Sequence, residues 1–123
     1  MNNLVYIKVF KGYIEARTYG ENNEKKFYSN GLNHPRSLAG NFEEVETTFK
    51  NALSEQPKKW LGLIKPNVLV HLVPKMEGGY TPTELRFFRE AALGGGAVNV
   101  YLMTDQYPPL KDSKLYEVYE TLK

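Results

Sequence analysis

The residues able to do chemistry in this 123-residue chain are few and scattered. Glu77, Glu84 and Asp105 lie in its second half, and convergent carboxylates are what a nuclease needs to hold two divalent cations. With glycines and a helical pattern between them, these three read as separate solvated acids. His71 stands inside an apolar run, Asn67-Val68-Leu69-Val70-His71-Leu72-Val73, with no second His or Cys at metal-binding spacing. It therefore reads as a core histidine hydrogen-bonded to a neighbour, while His34-Pro35 falls in a polar loop. The chain has no Cys, which removes thiolate ligands, a cysteine nucleophile and disulfides. No Ser, His and Asp set can be assembled from these positions.

Phosphate chemistry fares no better. Gly78-Gly79 precedes a helix start, where backbone N–H groups favour anions, but no Lys-Ser/Thr follows as a P-loop requires. Gly94-Gly95-Gly96 follows a helix and enters a strand, the polarity of a helix stop. Lys11-Gly12-Tyr13 matches an RNA-recognition signature over three residues only, and the order of elements is wrong for that module.

The elements that must position these residues follow from periodicity. Residues 4–10 are β-branched and aromatic; Lys11-Gly12 makes a tight turn. Residues 13–19 alternate, with Ile14, Ala16 and Thr18 on one face and Tyr13, Glu15, Arg17 and Tyr19 on the other. Gly20 to Asn23 turn again, and residues 24–30 form a third strand whose Lys25 and Lys26 suit an edge. Asn41 with Glu44 opens a helix with Phe42, Val45, Phe49, Ala52 and Leu53 as its stripe, and Pro57 follows its end. Trp60 to Ile64 read as a connector covering the core. Residues 67–73 lack alternation, the habit of a parallel strand buried on both faces. Thr81-Pro82-Thr83-Glu84 is a complete helix-start signal, with Leu85, Phe88, Ala91 and Ala92 as the stripe behind it. Residues 97–103 form a last strand, and Asp112 or Ser113 caps a final helix carrying Leu115, Val118, Tyr119 and Leu122.

The order βββαβαβα predicts one α/β domain over residues 1–123. Parallel crossovers must carry the last two strands, and the meander joins them through its first. The expected product is a five-stranded mixed sheet in the order 3-2-1-4-5 with helices on both faces. That is a ribonuclease H-like layout, shared by each half of the actin and heat-shock chaperone ATPases.

Composition bounds the partners. Sixteen basic against 14 acidic residues leave a net charge of +2, which demands neither a polyanion nor an acidic tail. The first 36 residues are more basic and hold Tyr6, Tyr13, Tyr19 and Tyr28. Interleaved cations and aromatics can stack nucleic-acid bases, but they are equally ordinary on the wet face of an antiparallel sheet, and nucleic acid is not the expected partner. No apolar run reaches the roughly 18–20 residues of a membrane span, and Met1-Asn2-Asn3 lacks the start of a signal peptide, so a cytoplasmic location is expected.

Residues 65–104 resemble a known family. Lys65-Pro66-Asn67-Val68, Val73-Pro74, Gly79, Thr81, Glu84, Arg86, Arg89-Glu90-Ala91-Ala92, Gly96-Ala97 and Val100-Tyr101-Leu102 look like a segment of the bacterial actin MreB, the rod shape-determining family. Pro35-Arg36-Ser37-Leu38-Ala39-Gly40-Asn41-Phe42-Glu43 looks like that family's lead into a helix. The resemblance implies one actin-like lobe, subdomain IA. It also implies what has changed. Where the family has an acid and a glycine in its first phosphate loop, this chain has Lys8 and Phe10; Lys75 to Gly78 are extra residues; and Thr104-Asp105-Gln106-Tyr107-Pro108 replaces a Glu-Glu-Pro motif. The second lobe that would close a nucleotide cleft is not represented.

The expected function is accordingly a non-catalytic, actin-like interaction protein linked to bacterial cell shape or cytoskeleton. It needs no nucleotide, metal or other cofactor, has no catalytic residue, and takes a protein partner or a second copy of itself. The expected contact surface is Lys75, Met76 and Tyr80 in one loop, with Val98, Val100 and Tyr101 on an apolar edge strand that lacks gatekeeper charges. The alternative is a ribonuclease H-like nucleic-acid-binding protein or enzyme using the basic, aromatic N-terminal sheet.

Overall fold

A computed structural model describes residues 3–34, 37–58 and 64–122. The first hairpin joins β1 (Leu4–Phe10) to β2 (Tyr13–Thr18) through the tight turn at Gly12, and β3 (Lys25–Tyr28) completes the meander. Then follow α1 (Phe42–Ser54), β4 (Asn67–Leu72), α2 (Pro82–Gly94), β5 (Asn99–Met103) and α3 (Asp112–Leu122). The sheet order is β3-β2-β1-β4-β5, as the sequence predicts. β1 pairs antiparallel with β2 and parallel with β4, while β5 is parallel to β4.

Because side chains alternate across a strand, β1 and β4 feed two cores. Val5, Ile7, Val9, Val68, Val70 and Leu72 face α1 and α2, meeting Val45, Phe49, Phe88 and Ala92. Leu4, Tyr6, Leu69 and Met103 face α3, meeting Leu115 and Tyr119. Both central strands are thus buried on both faces, and the polar residues they carry must find partners inside the protein.

The local signals are met unevenly. Thr81 and Glu84 form a reciprocal capping box, at 3.1 and 2.8 Å, with Pro82 opening α2. Asn41 accepts from the Glu44 N–H at 3.0 Å. Phe42, expected in the α1 stripe, is 36% exposed and sits edge-on to Phe87; Thr48 takes an inward place instead, its hydroxyl donating to the Glu44 carbonyl. The third strand ends at Tyr28 rather than at residue 30, because Asn30–Leu32 turn in a single 3-10 turn that delivers Leu32 to the core. Asp112 does not cap α3. The first helical bonds go to the Lys111 carbonyl, and the Asp112 carboxylate turns to Arg17 and Gly20. Leu122, expected on the buried side of α3, is 37% exposed. Of the connector, Trp60 to Leu63 lie outside the described residues, as do Pro35 and Arg36. Among the described residues no helix is long and apolar enough to cross a membrane.

The Gly94–Gly96 run stops α2, as its polarity indicates, and also does something spacing does not reveal. A Cβ on Gly95 would lie 2.9 Å from the Lys50 backbone nitrogen and 3.1 Å from the Phe49 Cβ. Glycine here lets α1 and α2 approach where any side chain would wedge them apart. Gly95→Ala is expected to cost about 1–3 kcal/mol through this overpacking, lowering the urea midpoint without changing the slope of the transition.

Candidate functional site

In sheets with parallel central strands, ligands gather at the strands' carboxyl ends. Here that region includes the ends of β1, β4 and β5, and beside it on the α3 face lies a cleft of about 570 Å³ between β1–β2 and the segment entering α3. Lys8, Arg17, Glu24, Leu110 and Asp112 line it. Lys8, on β1, stands opposite Glu15 in the hairpin register and reaches it at 3.4 Å, with Glu24 at 3.0 Å. Arg17 lies 4.8 Å above the Tyr6 ring, donates to the Leu110 carbonyl at 2.7 Å, and pairs with Glu24 at 3.2 Å and Asp112 at 3.1 Å. Of the charges lining this cleft, Lys8, Arg17, Glu24 and Asp112 are paired within the chain.

Deeper in, Tyr6 and His71 form a fully buried polar side-chain pair across the central strands, with Tyr6 Oη and His71 Nδ1 2.6 Å apart. The Leu110 N–H donates to the Tyr6 oxygen at 3.0 Å, and His71 Nε2 lies 3.0 Å from the Tyr107 carbonyl. A carbonyl only accepts, so the imidazole carries its proton on Nε2, and its bare Nδ1 takes the Tyr6 proton. Burial pushes the His71 pKa down, opposed by the Tyr107 and Thr104 carbonyls. Burial likewise pushes the Tyr6 phenol up to about 12, opposed by the Leu110 N–H and Arg17. Both groups are held neutral, and together they pin residues 107–110 to the sheet. The core-histidine reading of His71 is what the structure shows.

The three acids are brought to different tasks. Asp105 accepts from the Met76 N–H at 3.3 Å, tying the loop after β4 to the loop after β5. Glu84 accepts from Ser37 at 2.6 Å, and against the upward push of partial burial, hydrogen bonds from Ser37 and Thr81 hold its carboxyl below the usual range. Glu77 is exposed. Tyr80 donates to the Pro74 carbonyl; burial and the nearby Asp105 and Glu84 carboxylates push its phenol upward. Among the described residues, no three His, Asp or Glu side chains could hold a metal ion together.

The expected contact surface is split by the fold. Lys75 is exposed, while Met76 and Tyr80 pack partly against the core. Val98, expected within a strand of residues 97–103, lies instead in the bend just before β5 and is 52% exposed, whereas Val100 on β5 is only 5% exposed and joins the core under α1 and α2. Tyr101 is half-buried, edge-on to Tyr119. The edge is also less bare than its own residues indicate, since Arg89 of α2 donates to the Val100 carbonyl at 2.9 Å. Sequence reasoning missed Arg17 and Tyr6 as a unit. The available signal was a hydroxyl and an imidazole on the two strands buried on both faces, where each needs a hydrogen-bond partner.

The His71 pair makes a pH prediction. An unfolded histidine binds a proton below about pH 6.5, whereas the folded one, with its pKa depressed, resists it. Stability from this group is complete above about pH 6.5 and is lost as pH falls below it. The urea midpoint of the wild-type protein should therefore drop between about pH 7.5 and 5.5. In His71→Leu that drop should be flattened, at a cost near neutrality of about 1–3 kcal/mol for the stranded Tyr6 hydroxyl.

No protein-family model matches this chain, and no curated protein matches it.

Proposed function

We propose that this protein is a non-catalytic, actin-lobe-like interaction domain, related to MreB and serving bacterial cell shape or cytoskeleton, that binds a protein partner or a second copy of itself. The sheet order and the helices on both faces are compatible with such a lobe. The observation that carries the reading is how the polar groups near the carboxyl ends of the central strands are used. Where a nucleotide-binding lobe keeps an acid and free backbone amides, β1 presents Lys8, clamped by Glu15 and Glu24. Its turn is short, and the Gly12 N–H that would face a phosphate donates to the Leu32 carbonyl at 3.2 Å. His71 and Asp105 are committed to Tyr6, Tyr107 and Met76.

The contact surface proposed for the partner is the Lys75–Tyr80 loop with the exposed residues leading into β5. Val98, Lys75 and Glu77 are exposed members of it, while the Val100 side chain is buried.

The test pairs a melting experiment with sedimentation. Adding ATP and Mg²⁺ should leave the melting temperature unchanged, whereas a site saturated at 100 times its Kd would add about 2.7 kcal/mol and shift it by several degrees. The chain should sediment as a dimer or with purified bacterial actin filaments, and Val98→Lys should abolish that association. A nucleotide-dependent rise in melting temperature would overturn the reading, and so would a monomer that fails to co-sediment.

A further inference from the structure

Helix α3 covers only part of its side of the sheet, the part built by Leu4, Tyr6, Leu69 and Met103. Farther along β1, β2 and β3, the same face carries a row of three aromatic rings. Register places Phe10 beside Tyr13 and Tyr13 beside Tyr28, so the row crosses the three strands at the carboxyl end of β1. The Phe10 and Tyr13 rings are stacked, with centroids 4.9 Å apart and planes at 17°; Tyr13 and Tyr28 are 6.1 Å apart and tilted. Tyr28 is 76% exposed, so the row ends in an open ring face on the edge strand.

Two lysines flank this row, while Glu43 and Glu44 line a shallow pocket at the far side of Tyr28. Lys26 Nζ lies 4.4 Å from the Tyr13 centroid and 5.8 Å from that of Tyr28. Lys11 projects from the adjoining turn and donates to a neutral carbonyl, that of His34. Among the described residues neither lysine has a carboxylate at ion-pair distance; Glu15 and Glu24 are engaged by Lys8 and Arg17.

We propose that this face binds single-stranded nucleic acid, with bases stacking on Tyr28 and Tyr13 and backbone phosphates meeting Lys26 and Lys11. Cross-strand aromatic pairing stabilises a sheet by burying rings against one another, and that role accounts for Phe10 on Tyr13. It does not account for Tyr28, whose ring stays largely in water beside an unpaired cation. Open aromatic faces accept any base, and neighbouring cations add the sequence-independent attraction to phosphate. A peptide partner would leave the lysine charge unmatched unless it were acidic, and an acidic peptide would leave the ring faces unused. The surface is separate from the β5 edge, so Val98→Lys tests one reading without touching the other.

The experiment is fluorescence anisotropy with labelled oligo(dT) and oligo(U), using the full chain, with a duplex of equal length as comparison. Binding should be tighter to the single strands than to the duplex and should weaken between about 50 and 200 mM salt. Tyr28→Ala should weaken it by about 5- to 150-fold, the range expected for losing one stacked base. Tyr28→Phe should preserve it, because the ring face is kept, and Tyr107→Ala, an exposed tyrosine off the row, should leave it unchanged. Since Tyr28 is exposed, Tyr28→Ala should remain folded, as circular dichroism can check. No binding at low salt would overturn the proposal. So would equal binding to duplex, or binding indifferent to Tyr28→Ala, which would reduce the face to a patch of charge. Loss of binding to an acidic peptide in Lys26→Ala, with oligonucleotides not bound, would also overturn it in favour of a protein partner.

Discussion

Strands β1 and β4 lie at the middle of the sheet with packing on both faces, and each carries one polar side chain that reaches the dry interior. Tyr6 and His71 satisfy each other, and their remaining capacity goes to the backbone of Leu110 and Tyr107. An unmade bond at this depth costs far more than a made one contributes, so the pair acts mainly as a constraint. It admits a single register between β1 and β4, and it requires residues 107–110 to cross the sheet where they do. Arg17 reinforces the crossing from the other side by stacking on Tyr6 while holding the Leu110 carbonyl and Asp112. The path of the chain into α3 depends on this cluster.

The opposite face is organised mainly by shape, its buried polar pair being Thr18, which donates to the Gln56 side-chain oxygen at 2.8 Å. α1 and α2 meet through Phe49 and Phe88, and the absence of a side chain at Gly95 sets how closely they approach. Gly31 and Gly40 play the same part where the lead-in to α1 crosses the 3-10 turn: a Cβ on Gly31 would stand 2.7 Å from the Asn41 carbonyl. The two layers thus differ in kind. One tolerates volume-conserving change, while the other couples a hydroxyl, an imidazole and a guanidinium that cannot be exchanged singly.

This division bears on function. Polar groups near the carboxyl ends of the central strands are consumed in holding loops, which supports a scaffold whose binding happens on its outer surfaces. The two surfaces proposed for binding stand apart: the residues leading into β5 with the Lys75–Tyr80 loop, and the aromatic row on β1–β3.

Much of this was legible in the residues. Periodicity, turn chemistry and the Thr81–Glu84 box yield the order of elements and, through the rule for parallel crossovers, the strand order itself. The unalternating residues 67–73 announce burial on both faces, and His71 within them announces a hydrogen bond. These features are local, or follow from connectivity, and chain neighbours suffice to determine them. Tertiary structure alone decided who meets whom. Asp112 caps no helix because Arg17, 95 residues away, offers it a stronger partner. Arg89 reaches the β5 edge from α2, and Val100 is buried by parity against a helix that its own strand does not specify. Such contacts join residues far apart in sequence, and their energy depends on distances and burial that exist only once the layers have packed.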